Sequence, residues 1–142
     1  MSGVLPVTTE LSVLWGDMDA LGHVNNAVYA RWLEQARIAY FERVGLIGGG
    51  TVGPILARQA IDFVEPVTYP DRVAVSVGVS RIGTTSLTLD YVATSQAKHG
   101  AVVMKAQSVI VVFDYAAGTK TPVSTELRAR IEGLACTTPT AS

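Results

Sequence analysis

Two hydrophobic periods alternate along this chain, and the change between them marks out its elements. Leu11, Val13 and Trp15 alternate with Glu10, Ser12 and Leu14, a short period-two run that predicts a first strand ending at Gly16. From Ala27 the spacing lengthens. Val28, Trp32, Ala36, Ala39/Tyr40 and Val44 recur every three or four residues, while Arg31, Glu34, Gln35, Arg37 and Arg43 fall at other positions. This predicts an amphipathic helix of about five turns by the 3.6-residue period. It closes at Gly45, because glycine readily takes the left-handed position that ends a helix. Gly48-Gly49-Gly50 then forms a mobile connection that no regular element would hold.

After Gly53 period two returns in four runs. The first holds Ile55, Ala57, Ile61 and Phe63 and ends before Pro66, with Tyr69-Pro70-Asp71 as the turn that follows. In the second, Val73, Val75, Val77 and Val79 alternate with Ala74, Ser76, Gly78 and Ser80, which reads as a strand with one buried face. Gly83-Thr84 turns the chain into the third, Leu87 to Ala93, and Lys98-His99-Gly100 tips the next hairpin. The last run, Val102 to Phe113, is apolar on both faces in its second half, so it belongs centrally in the sheet or against another subunit. Leu127, Ile131 and Leu134 predict a short closing helix, and residues 137–142 a frayed tail behind a single domain of residues 1–136. One strand, a long helix and four more strands is the order of an α+β fold, with a five-stranded antiparallel sheet wrapped around one buried helix. The edges of such a sheet invite pairing with a second copy, and residues near that edge would be shared between subunits.

Composition narrows the function classes. The chain has 142 residues, 49% of them apolar, enough for one sizeable core. A formal charge of −1 and a pI near 6.1 provide no basic field for nucleic acid or anionic membrane. No apolar run reaches the roughly 20 residues of a membrane span, and Met1 to Thr9 lacks the regions of a signal peptide. A cytoplasmic location is therefore expected. The lone Cys136 lies in a Thr/Ala/Pro-rich stretch, which excludes an intrachain disulfide and argues for an inert thiol.

Candidate chemistry gathers between the first strand and the helix, in Trp15 to Arg37. Asp17 and Asp19 are one residue apart, so on an extended backbone they face opposite sides and only one can serve a given cleft. Gly22, His23, Val24, Asn25 and Asn26 follow as a loop of turn formers, with Asn25 or Asn26 placed to cap the helix. A helix N-terminus presents N–H groups to developing negative charge. Asp19 can fold back towards it through the Gly22 bend and either attack a carbonyl or take a proton from water. His23 could orient Asp19 or bind substrate, and Asn25 could donate to a carbonyl or cap the helix. The plainer readings are Asp17 as a turn acceptor, Asp19 as a solvated loop acid and Glu34 as a surface ion-pair partner of Arg31 or Arg37. Asp17, Asp19 and His23 could also be divalent-ion ligands, but three ligands on one flexible stretch without a distant partner make a poor site, and no metal is expected. Arg58, Arg81, Lys105 and Gln107 on the strands could meet phosphates, although surface charge is the commoner role of such groups.

The stretch Asp17-Met18-Asp19-Ala20-Leu21-Gly22-His23-Val24-Asn25-Asn26, with Tyr29, Trp32, Glu34, Ala36 and Arg37 behind it, resembles the hotdog-fold acyl-CoA thioesterases of the hydroxybenzoyl-CoA thioesterase type. Phe63, Pro66, Tyr69-Pro70-Asp71 and the Gly83 to Ser86 turn extend the likeness over nearly the whole chain. The resemblance implies a hotdog fold, hydrolysis of an acyl-CoA to free acid and coenzyme A, and Asp19 as the catalytic carboxylate. The N–H near Asn26 would polarise the thioester carbonyl, with His23 and Asn25 beside it. Tyr29, Trp32, Phe63, Gly83 and Ser86 would contact substrate. The His-Val-Asn-Asn sequence is similar to the branch acting on fatty or broad acyl groups, with an aromatic, hydroxybenzoyl-type substrate as the alternative. No cofactor is implied beyond the coenzyme A of the substrate, and a homodimer or homotetramer is expected. Two other readings stay open on the same fold: a non-catalytic acyl-CoA binding or sensing domain, and a hydratase or dehydratase acting at the β-carbon.

Overall fold

A computed structural model of the protein describes residues 5–135, so Cys136 and the 137–142 tail lie outside the described residues. In chain order it contains β1 (Val7–Ser12), a 3₁₀ turn (Trp15–Asp17), α1 (Asn26–Val44), β2 (Val52–Phe63) and β3 (Arg72–Ile82). These are followed by β4 (Ser86–Ser95), β5 (Ala101–Asp114), β6 (Thr119–Lys120) and α2 (Thr125–Ala135). The strands form one antiparallel sheet in the order β1-β3-β4-β5-β2, with β6 attached to the end of β5. This is the hotdog arrangement, a sheet wrapped around a long helix. It has six strands where five are expected from the sequence, because β6 is only two residues long and too short for any period to register.

Two further expectations are corrected by the pairing. The first strand lies earlier than its period-two run, pairing from Val7↔Val77 to Ser12↔Arg72. Beyond Ser12 the Val13 N–H turns to the Asp71 carbonyl (2.9 Å), and the Asp17 carboxylate takes the Leu14 N–H (2.8 Å). The backbone is thereby drawn into the 3₁₀ turn, and Trp15 is left 73% exposed. Second, β2 and β3 do not form a hairpin. β2 pairs with β5 at the far edge, and residues 64–71 carry the chain across the sheet with Val67 fully buried. Hydrophobic period predicts that a strand exists, not which strand it pairs with.

The helix follows its sequence pattern closely. Val28, Trp32, Ala36, Tyr40 and Val44 are all buried, and Gly45 ends α1 at φ 76°, a left-handed conformation that glycine adopts without strain. α1 lies over β1 and β3. Its inner face meets Val73, Val75, Val77 and Val79 of β3, all buried. α2 closes the same core with Leu127, Ile131 and Leu134. β5 sits inside the sheet between β4 and β2, with Ile110 and Val112 buried on one face and Val109, Val111 and Phe113 half-buried on the other. Towards β2 the helix reaches only through long side chains, chiefly Tyr29 and Arg37. The 12-residue β2 therefore has an unpaired outer edge in the single chain.

Candidate active site

The loop between the 3₁₀ turn and α1 is closed by one backbone bridge, Met18↔Val24. Next to it the Asp19 N–H donates to the His23 carbonyl (3.0 Å), and the Gly22 N–H returns to the Asp19 carbonyl (3.0 Å). Gly22 holds φ 80° in this turn, a conformation that disfavours any side chain. Directly opposed residues of an antiparallel pair project to the same side, with Cβ atoms about 5 Å apart. Asp19 and His23 are therefore neighbours on one exposed face, whereas Met18 and Val24 face the other way. Val24 is buried there, its N–H on the Val67 carbonyl (2.9 Å).

The two acids have separate fates. Asp17 is 6% exposed, and its Oδ1 accepts from Arg31 (2.9 Å) while its Oδ2 accepts from the Leu14 N–H (2.8 Å). Its carbonyl takes the Asn25 N–H (2.9 Å). Every acceptor on Asp17 serves the architecture of the loop. Asp19 is exposed; its Oδ1 accepts the Leu21 N–H (2.9 Å), and its Oδ2 has no partner among the described residues. The His23 imidazole likewise makes no hydrogen bond among them, so in this single chain it stands beside Asp19 without holding it.

Asn25 is the N-cap, its side-chain oxygen accepting the Ala27 N–H (2.9 Å) while its carbonyl accepts from Val28 (2.9 Å). That leaves the N–H of Asn26 with no acceptor among the described residues. An exposed donor at the positive end of a 19-residue helix is well suited to a developing oxyanion. Asn25→Ala is expected to destabilise the fold by about 1 kcal/mol, the usual loss for an N-cap. Thermal unfolding should register it as a drop of roughly 3–5 °C for a chain of this size.

Tyr29, Trp32 and Phe63 come together in one aromatic cluster. Tyr29 lies 4.9 Å from the Trp32 ring and 5.0 Å, edge to face, from Phe63. The first two are buried, and Phe63 is 48% exposed on β2. Burial raises the pKa of the Tyr29 phenol against an opposing interaction with the Val67 backbone, so it is a neutral group here. Gly83 and Ser86 are not brought to this cluster. They close the β3–β4 turn, Gly83 N–H to Ser86 carbonyl at 2.7 Å, whereas Ser12 and the loop behind it meet β3 at Arg72, its other end.

Other polar residues also depart from the sequence reading. Glu34 pairs with neither neighbour, because Arg31 turns to Asp17 and Arg37 to Gln59 (3.1 Å). Gln107 on the outer face is bonded to Asp90 (2.9 Å). The sequence reading missed a buried polar cluster of Arg37, Gln59, Tyr91 and Ser108, in which the Tyr91 and Ser108 hydroxyls lie 2.5 Å apart. The signal for it was present: Arg37 falls four residues after Leu33 and eight after Tyr29, on the buried stripe.

A family model of the thioesterase-like superfamily matches residues 13–131, and the chain belongs to that superfamily. A thioesterase from Thermus thermophilus, solved in complex with coenzyme A and Zn, is 31% identical. That match covers 97% of this chain and 99% of the other at a TM-score of 0.82. The PA2801 protein of Pseudomonas aeruginosa is 34% identical over 91% of this chain and 99% of its own, with a TM-score of 0.81. The uncharacterized protein YsmA of Bacillus subtilis is 29% identical over 83 residues, a match that spans 58% of this chain and 56% of that protein. Among the described residues no three His, Cys, Asp or Glu side chains gather into a metal cluster, and no helix is long and apolar enough to cross a membrane.

Proposed function

We propose that this protein hydrolyses the thioester of a fatty or other acyl-CoA, releasing the free acid and coenzyme A. One observation carries this reading: a single bridge-closed loop presents an exposed carboxylate oxygen on Asp19 and an unsatisfied helix N-terminal N–H on Asn26. In the proposed reaction the Asn26 N–H stabilises negative charge on the thioester oxygen as the carbonyl carbon becomes tetrahedral. The Asp19 Oδ2 either attacks that carbon or takes the proton of a water that does. Collapse of the adduct breaks the C–S bond and expels the coenzyme A thiolate, which takes up a proton; where Asp19 is the nucleophile, water then hydrolyses the acyl-Asp19 anhydride to the free acid and restores the carboxylate. His23 flanks the carboxylate, Asn25 holds the helix start, and Tyr29, Trp32 and Phe63 offer the acyl group an apolar wall. The proposal needs no metal or redox group, since coenzyme A arrives with the substrate. The T. thermophilus relative, bound to coenzyme A, supports the choice of thiol.

The single chain leaves this site open on one side, which supports a homodimer or homotetramer. Phe63, Val64 and Leu56 are exposed on or beside β2, and an unpaired edge strand is a template for a second copy. Antiparallel pairing of two β2 edges would place the Gly83–Ser86 turn of one protomer at the same end of the joined sheet as its partner's loop. That is how those two residues could meet the substrate.

Thiol release from a panel of short, long and aromatic acyl-CoAs is the direct test. Turnover of at least one ester by the folded protein is the expected outcome, and its identity separates fatty from hydroxybenzoyl-type preference. Binding of the esters without release would instead make the protein an acyl-CoA binding or sensing domain.

A further inference from the structure

The buried cluster around Arg37 has no part in the chemistry proposed above, and its charge balance is unusual. Arg37 is 9% exposed, yet it forms no ion pair with a carboxylate among the described residues. Its partners are neutral: the Gln59 side-chain oxygen at 3.1 Å and the Tyr91 hydroxyl, which is itself bonded to Ser108. Tyr91 cannot supply the missing charge, because burial raises its phenol pKa despite the pull of Ser108 and Arg37. A guanidinium has five donors in a planar fork that suits a carboxylate, and burying one without a counterion is costly.

The position of the cluster relates this charge to the acyl group. Phe63, Ile61 and Gln59 alternate onto the helix-facing side of β2, and Gln59 is half-buried, so a ligand would meet it before the guanidinium. Along α1, Tyr29 and Arg37 are eight residues apart, about 12 Å at the helical rise. Along β2, Phe63 and Gln59 are four residues apart, about 13 Å at the strand rise. The two spacings match. One flank between α1 and β2 therefore has an aromatic end beside the helix N-terminus, where Tyr29 meets Phe63 edge to face, and a polar end where Arg37 bonds Gln59.

We infer that Arg37 and Gln59 form a specificity site for the far end of the acyl group, selecting acyl-CoAs whose tail carries a carboxylate over plain alkyl esters. This rests on the hydrolase reading for the position of the thioester and adds to it the class of acyl group. The carboxylate would supply the counterion that the described residues lack, with the aromatic end holding the intervening methylenes.

The test compares kcat/KM for ω-carboxyacyl-CoAs with that for alkyl acyl-CoAs of the same length, over a series of lengths. Wild-type protein should favour the carboxylated ester at one length or more by about tenfold or better, as expected for a site built to bond a polar group. Arg37→Met should remove that preference, with most of the loss on the carboxylated ester, and Arg37→Lys should keep part of it. Gln59→Leu, at a half-buried position on the strand edge, decides the matter should Arg37→Met fail to fold. An alkyl preference of wild type at every length, or the same ratio in wild type and in the folded variants, would overturn the assignment. Absence of thiol release from every ester would count against the hydrolase reading alone. Equilibrium binding of the two ester classes to wild type and variant would then still decide for or against the Arg37 site.

Discussion

Asp19→Asn is expected to reduce kcat for thioester hydrolysis by about 10²–10⁴-fold, the range associated with loss of a positioned general base or its nucleophilic equivalent. Asparagine keeps the oxygen that accepts the Leu21 N–H, so the turn survives. It loses the negative charge and basicity of Oδ2, the oxygen without a partner among the described residues. Because the side chain is exposed, the thermal midpoint should stay close to that of wild type, and ester binding should change far less than turnover. Thiol release at saturating ester, with a melting curve on the same preparation, checks both halves. A variant that retains turnover within about threefold of wild type, well short of the range for a catalytic acid or base, would remove Asp19 from the mechanism.

The sequence disclosed the geometry of this candidate site through local features. The cap at Asn25, the bend at Gly22 and the long helix are each written within a few residues of where they act, so spacing and turn chemistry suffice to read them. The separation of Asp17 from Asp19 was half legible. Alternation shows that they cannot serve one cleft together, but Arg31, fourteen residues on, decides which acid is buried. The α1 stripe likewise placed Trp32 and Tyr40 correctly and includes Arg37, whose charge hid its burial. A charged residue is read as a surface residue until the fold brings Gln59 and Tyr91 to meet it.

What the sequence concealed is long-range pairing. β2 has a clear alternating pattern, yet its partner is β5 rather than the β3 that follows it. The consequence for function is direct. With β2 at the edge, Phe63 and Gln59 line an open flank beside α1, and the Gly83–Ser86 turn is carried away from the Asp19 loop of its own chain. Under the proposed hydrolase reading, a second copy along that edge would complete the flank and bound the space open to the acyl group.

Asp17→Asn should show the converse behaviour, a large loss of stability with a smaller loss of turnover than Asp19→Asn. The wild-type carboxylate accepts at both oxygens, from Leu14 and from Arg31. An asparagine amide must present its NH₂ to one of them, setting donor against donor in a site that is 6% exposed. An unsatisfied buried donor costs about 1–3 kcal/mol. The ion-pair component adds less, since Arg31 is 51% exposed and its charge is screened by water. The combined loss is expected at about 2–3 kcal/mol, within the range for disruption of a buried polar partner. Urea unfolding should show it as a lower midpoint at an unchanged slope. Arg31→Ala provides the internal control: with solvent able to replace much of its contribution, it should cost about 1 kcal/mol or less. Wild-type stability in Asp17→Asn would mean that the loop is held by its backbone bridge alone. Loss of stability together with retained turnover would confirm that the first acid builds the site in which the second one works.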